Sequence, residues 1–331
     1  MKIVHWVNKN GSGMGRVAEE LSLSEKDIGL DSYCLECERP ADDAGKPDYW
    51  ARIEFSRDAD IHVEHTHIPD EADDPTIKKV WIAHGTPETC FRGSINEASK
   101  GVHGVHDGFM ASIHMLRTSD AVVTFWERHA AIWSSLMDKR SIVDCVPLGV
   151  NKQKWHRIES MGKWAGEPSI LTSENCHEIK WPLDLMISWS WVINEVRTAR
   201  LHLMYLPLDQ SRWWGALTFN NRSAYRSFIS SIAMKDGELI NALSSIDYYI
   251  GLVRYGDHNR MMLEAKACGT PVISYRGNEY ADFWVDEGDQ RTIASQLAMI
   301  LKGQVPPRET MPVPDISETA RAMKKIYERL L

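Results

Sequence analysis

Apolar and β-branched residues gather in short runs along this chain, and between the runs apolar positions recur at three- and four-residue spacing. Residues 2–7 (KIVHWV) form the first run, a glycine-rich stretch follows, and in 14–23 Val17 and Leu21 fall one helical turn apart. Further runs at 61–65, 80–83, 121–126 and 141–146 alternate with helical patterns at 108–116 and 127–137. Around Pro147 the period is lost in a stretch mixing Pro, Gly, Trp and basic residues. It then restarts with a strand at 169–172, a helix at 182–196, strands at 201–206 and 246–253, a helix at 260–267 and a strand at 271–275. Such alternation predicts an α/β protein with parallel sheets covered on both faces. Its restart predicts two successive Rossmann-like domains, 1–152 and 165–312, joined by a linker at 153–164. The tail 316–331 sets Ala320, Met323, Ile326 and Leu330 on one face, which predicts an amphipathic helix with Ser317 as its N-cap.

Composition agrees with this division. A chain of 331 residues suits two domains, and 43% hydrophobic with 25% charged residues is ordinary for a globular protein. No apolar run approaches the roughly 20 residues of a membrane span, and residues 1–12 lack the apolar core of a signal peptide. A cytoplasmic location is therefore expected. The six cysteines, Cys34, Cys37, Cys90, Cys145, Cys176 and Cys268, are too scattered for a disulfide framework. Residues 1–150 carry 16 Lys and Arg against 25 Asp and Glu, a net of −9, whereas residues 151–331 carry a net of +1. That balance argues against a nucleic-acid surface.

Several segments carry candidate chemistry. Gly11-Ser12-Gly13-Met14-Gly15 lies between the first strand and helix, where free N–H groups and the helix dipole favour an anion. A tight turn would use the same residues. His84 stands just past the strand at 80–83, at the sheet edge where open α/β folds place ligands, although a capping histidine would stand there too. The run His62, Glu64, His65 and His67 resembles a metal cluster, but in a strand only His65 and His67 share a face. Cys34 and Cys37 have no second pair to complete a zinc site. Lys180 opens the helix after the second domain's first strand, where an anionic ligand would offset its conflict with the helix dipole. The most informative stretch runs from Tyr255 through Asp257, Asn259, Arg260, Met261 and Glu264 to Gly269, Pro271 and Ile273. A polar loop there feeds a helix that stops at glycine before the next strand.

In that stretch Glu264 to Ile273 (EAKACGTPVI) resembles the E-A-M-A-C-G-x-P-V-I segment of the family-4 retaining glycosyltransferases of GT-B fold. Four further segments match in order: the Gly11–Gly15 loop, Ala83-His84-Gly85, Ser119 to Thr124, and Val146 to Asn151. The resemblance implies two Rossmann-like domains facing a central cleft, with the C-terminal helix crossing back to the N-terminal domain. It implies a hexosyltransferase-type enzyme that moves a sugar from a nucleoside-diphosphate donor with retention. His84 and Asp257 would meet the transferred sugar, while Gly13, Lys180, Asn259, Arg260, Met261 and Glu264 would hold the donor. Lys180 and the helix dipole would take the part of a metal, so neither metal nor cofactor is expected. The acceptor, whether glycan, lipid-linked sugar, protein or small molecule, is not identified. Two departures stand out: Gly256 occupies the place of the family's first glutamate, and no arginine precedes Lys180 in 173–177. They motivate the alternative of a GT-B protein that binds a nucleotide sugar without turnover. A DNA-base glycosyltransferase is a further alternative, disfavoured by the acidic first half.

Overall fold

The computed structural model describes residues 1–8, 13–38, 46–85, 107–136, 142–159, 162–173, 183–204, 226–231, 234, 236–253 and 260–331. Contacts divide the chain into Met1–Asn151 with Pro314–Leu331, and Lys152–Val313.

The first unit holds a six-stranded parallel sheet of β1 (Lys2–Val7), β2 (Asp31–Glu36), β3 (Ile61–Glu64), β4 (Lys78–Ile82), β5 (Ala121–Thr124) and β6 (Ile142–Cys145). Its order is β2-β1-β3-β4-β5-β6, so the winding direction reverses between β1 and β3. The unit's described α-helices are α1 (Gly13–Asp27), α2 (Lys46–Ser56), α3 (Asp107–Thr118), α4 (Glu127–Ser135) and the tail helix. Alternation along each strand sends Ile3, Ile61, Val63, Val80, Ile82 and Val123 to one face, against Leu21 of α1 and the tail. Val4 and Trp6 go to the other face, against Tyr49 and Ile53 of α2. On that face Trp81 and Val122 meet Trp133 of α4.

The second unit contains β7 (Ser169–Thr172), β8 (Arg200–Met204), β9 (Phe228–Ser231), β10 (Tyr248–Gly251), β11 (Val272–Tyr275) and β12 (Phe283–Val285). They are parallel, in the order β12-β11-β10-β7-β8-β9, with the reversal between β7 and β10. Its described helices are α5 (Leu183–Glu195), α6 (Asp236–Ser245), α7 (Arg260–Ala267) and α8 (Gln290–Leu301). Trp189 and Leu185 of α5 pack with Ile293 and Leu297 of α8 against Ile170, Leu201 and Ile250 of the sheet. Residues 153–159 group with this unit: Trp155 is fully buried, and the Ile158 N–H donates to Ser244 Oγ at 3.2 Å.

The tail forms α9 (Ile316–Leu330), but Ser317 is not its cap. Asp315 holds that position, accepting from the Ser317 N–H at 2.9 Å while Glu318 accepts from the Asp315 N–H at 2.9 Å. The carboxylate wins because Asp315 and Glu318 satisfy two end donors reciprocally, which Ser317, already inside the helix, does not. Ala320, Met323, Ile326 and Tyr327 are buried in the first unit's core. The return path is tied at Val150, whose N–H donates to Pro314 O at 3.1 Å and whose C=O accepts from Ile316 N at 3.0 Å. Thr319 Oγ1 accepts from the Gly149 N–H at 2.9 Å and donates to Pro147 O at 2.7 Å. A Cβ at Gly149 would collide with the backbone of Asp315 and Ile316, so only glycine lets the two segments approach this closely.

Candidate active site

In the first unit, the sheet's register builds a staircase of histidines. His5 on β1 is paired with Val63, and Val63 with Val80, so His65 lies one pleat beyond His5 on the same face. His84 lies one pleat further, past the end of β4, on the face covered by α1 and α9. The three rings touch in sequence. His5 Nδ1 is 3.0 Å from His65 Nε2, and His65 Nδ1 is 2.9 Å from His84 Nε2. Glu25 of α1 closes the inner end, with Oε2 at 2.8 Å from His5 Nε2. That carboxylate also accepts from Ser32 Oγ at 2.6 Å and from the Tyr327 hydroxyl of α9 at 2.8 Å.

Burial grades along this line. His5, Glu25, Ser32 and Tyr327 are fully buried, His65 nearly so, and His84 is half-buried at the carboxyl edge of the sheet. Burial, followed by the charges of His84 and His5, pushes His65 well below the ordinary histidine range. Burial and the Glu25 carboxylate push the Tyr327 phenol well above its ordinary 10, so it stays a donor. Behind His84, Trp133 Nε1 donates to Gly85 O at 2.8 Å and Ala83 N to Val123 O at 2.8 Å, which fixes the strand end.

The His65 and His67 pairing suggested by the sequence does not form. His65 is committed to His5 and His84, whereas His67 is exposed. His62 and Glu64 face the other side, where His62 Nε2 lies 3.1 Å from Ser56 O. Among the described residues no group of three His, Cys, Asp or Glu side chains is arranged to hold a metal ion. Cys34 is pushed up to about 12, by burial first and then by Glu19 and Glu36, so it remains a thiol.

In the second unit, α7 follows β10 beside the β7/β10 reversal, where open sheets bind ligands. Arg260 opens the helix and donates from Nε to Glu264 Oε1 at 2.8 Å, one turn on. Both are buried, as is Met261. Glu264 is fully enclosed. The rest of the recognisable segment builds the turn into β11. Gly269, at φ +80°, ends the helix, and the Thr270 N–H reaches back to Ala265 O at 3.0 Å. Lys266 pairs with Asp282 at 2.7 Å, and Asp282 also accepts from the Val272 N–H at 2.8 Å. Gly13 begins α1. Lys180, Asp257 and Asn259 lie outside the described residues, as do Gly11 and Ser12. Sequence reasoning missed Glu25, His5, Ser32 and Tyr327, which no local spacing connects.

No family model matches the sequence, and no curated protein is similar to it. Solved structures are similar over the whole chain. A sucrose-phosphate synthase from Thermosynechococcus elongatus superposes with a TM-score of 0.73 at 13% identity, covering 100% of this chain and 99% of that one. The fold is GT-B. Anabaena HepE, solved with UDP and glucose, gives 0.63 at 10% identity over 100% of this chain and 99% of its own. WaaG, a glycosyltransferase involved in lipopolysaccharide biosynthesis, gives 0.64 at 12% over 99% and 98%. The GT-B architecture implied by the EAKACGTPVI segment is thus the one the chain adopts. Among the described residues no helix is long and apolar enough to cross a membrane.

Proposed function

We propose that this chain is a glycosyltransferase that moves a hexosyl group from a nucleoside-diphosphate sugar to an acceptor hydroxyl. The observation that carries this reading is the GT-B fold over the whole chain, with the EAKACGTPVI segment forming α7 and its exit at the sheet reversal of the C-terminal unit. HepE, of the same fold, was solved with UDP-glucose. In this reading the N–H groups at the start of α7, with Lys180 and Asn259, hold the diphosphate and stabilise the charge that develops on it as the sugar leaves. Glu264, which also accepts from Arg260 Nε, accepts from the ribose hydroxyls. His84 and Asp257 face the transferred sugar. Transfer proceeds with retention and without a metal, in the cytoplasm.

The test is a thermal-shift panel of nucleoside-diphosphate sugars, followed by detection of free nucleoside diphosphate with and without candidate acceptors. A donor at 100 times its Kd should add about 2.7 kcal/mol to stability. Retention is read from the anomeric configuration of the product, and metal independence from unchanged turnover in EDTA. No stabilisation by any donor would refute the reading. A second reading, binding without turnover, is favoured by Gly256 in the place of the family's first acid and by the enclosure of Glu264. Stabilisation by a donor with no release of diphosphate, with or without acceptors, would support it.

A further inference from the structure

Arg197, Arg200 and Arg226 line one cavity of the second unit, about 360 Å³ in volume, together with Ile193, Asn194 and Ser227. It lies at the amino edge of the sheet: Ile193 and Asn194 belong to the last turn of α5, Arg200 starts β8, and Ser227 stands just before β9. Because the strands run parallel, this edge is opposite to the one from which β10 leads toward α7.

The cations are held by the fold behind them. The Arg200 N–H donates to Pro168 O at 3.1 Å, and its guanidinium Nη1 donates to Ala199 O at 2.7 Å and Arg197 O at 3.1 Å. Those bonds anchor the guanidinium plane and leave the Nε and Nη2 hydrogens, a fork that meets two oxygens at once, without a partner among the described residues. Trp189 Nε1, in the core, donates to Ser227 Oγ at 2.6 Å and ties down the chain beside Arg226. Arg197 and Arg226 are exposed, and neither guanidinium is paired with a described residue. Two neighbouring acids are committed elsewhere. Glu195, at the end of α5, accepts from Lys302 at 2.7 Å, and Glu167, whose N–H donates to Thr198 O, accepts from Lys163 at 3.1 Å. The dipole of α5 favours a cation just past its C-terminus, which accounts for Arg197. It does not account for Arg226, which the pairing of β9 with β8 brings to the same cavity. Like charges around one small cavity repel, and a bound anion offsets that repulsion.

We propose that this cavity binds a small phosphate monoester, at a site separate from that of the sugar donor. A monoester carries roughly −1.5 to −2 charges near neutral pH and three strong acceptor oxygens, which suits three guanidinium forks. A carboxylate offers one charge and two oxygens. About 360 Å³ is within the range of small-molecule pockets and leaves room for the esterified group, with Asn194 and Ile193 as its polar and apolar neighbours. The site does not depend on the sugar-transfer reading.

The test is titration calorimetry of the full-length protein with glycerol 3-phosphate in about 0.15 M salt, with acetate and lipid vesicles as comparisons. Glycerol 3-phosphate should bind with a Kd of about 1 mM or tighter, less tightly as salt is raised, and acetate about tenfold more weakly. Arg197→Gln and Arg226→Gln, both at exposed positions that the fold tolerates, should each weaken binding by about tenfold or more. Arg226→Lys should recover only part of the loss, because it restores the charge without the fork. Lys180→Ala, aimed at the proposed donor site, should leave this binding unchanged. No saturable binding up to about 10 mM, or an affinity that neither arginine variant moves, would overturn the site. So would loss of binding in Lys180→Ala, which would put the phosphate in the donor site. Acetate bound as tightly as the ester would overturn the choice of phosphate. Capture on vesicles containing phosphatidic acid, with no binding of glycerol 3-phosphate, would overturn the small ligand in favour of a lipid surface.

Discussion

Glu64 ends β3 on the face opposite the histidine line, and replacing it with glutamine tests how the fold tolerates a buried carboxyl. It is 6% exposed, and its partners are the Ile68 N–H at 3.4 Å and Ser119 Oγ at 3.2 Å. Burial pushes its carboxyl from 4.5 up to about 7, and these hydrogen bonds with the Lys79 charge offset only part of that. The unfolded chain therefore releases this proton at lower pH than the folded one. Between the two values the folded state binds more protons, so stability falls as pH rises through the window and levels off above about 7. At about 1.4 kcal/mol per unit of pKa, ionised Glu64 costs the fold about 3 kcal/mol at pH 8. Glutamine keeps an acceptor for Ile68 and gains a donor for Ser119 while removing the charge. Denaturant unfolding of parent and Glu64→Gln at about pH 4, 6 and 8, taken as differences so that shared titrations cancel, should give near-equal stability at pH 4. The variant should then gain progressively, reaching about 3 kcal/mol at pH 8. A difference that stays constant with pH, or a variant weaker than the parent at pH 8, would refute the assignment.

Gly149→Ala should destabilise the first unit by about 1–3 kcal/mol, because the backbone of Asp315 and Ile316 occupies the space of its Cβ; calorimetry checks this. Asp315→Ala should cost about 1 kcal/mol by removing the cap of α9, whereas Ser317→Ala should cost a few tenths at most. Glu264→Gln should retain part of the donor affinity and Glu264→Ala should lose on the order of 10- to 100-fold, from roughly 1.5–3 kcal/mol per charge-assisted bond. Titration calorimetry with a 2′,3′-dideoxy donor should erase the difference between them, and an undiminished difference would show that Glu264 acts through Arg260 instead.

The strands and helices that the sequence marked most strongly were those whose burial is settled by their own residues. β1 and α7 form where the apolar periodicity puts them, because β1 is enclosed on both faces and α7 is nearly all buried. Elements set by their surroundings were harder to see. β12 is three residues long, and α2 presents exposed Trp50 and Phe55 that blur its apolar stripe. The capping box of α9 was present in the order Asp315-Ile316-Ser317-Glu318, yet the serine nearer the apolar face drew the assignment. Of the site, His84 was legible because a strand end is a local feature. The line behind it was not. Its members come from β1, α1, β2, the residue just past β3 and α9, and the Tyr327 to Glu25 bond spans 302 positions. Only the parallel register and the returning tail bring them together.

That return has a consequence for biosynthesis. Strands β1–β6 and helices α1–α4 are made first, but the sheet face that carries His5 and His65 stays without α9 until residues 316–330 have been made. At about 5–20 residues per second, the chain between Asn151 and Pro314 takes on the order of 10–30 s to appear. For that interval Val63, Val80 and Ile82 lack part of their cover, and Glu25 lacks the phenol of Tyr327. A chain stopped before residue 314 would leave that apolar face without the cover of Ile316, Ala320, Met323, Ile326 and Tyr327.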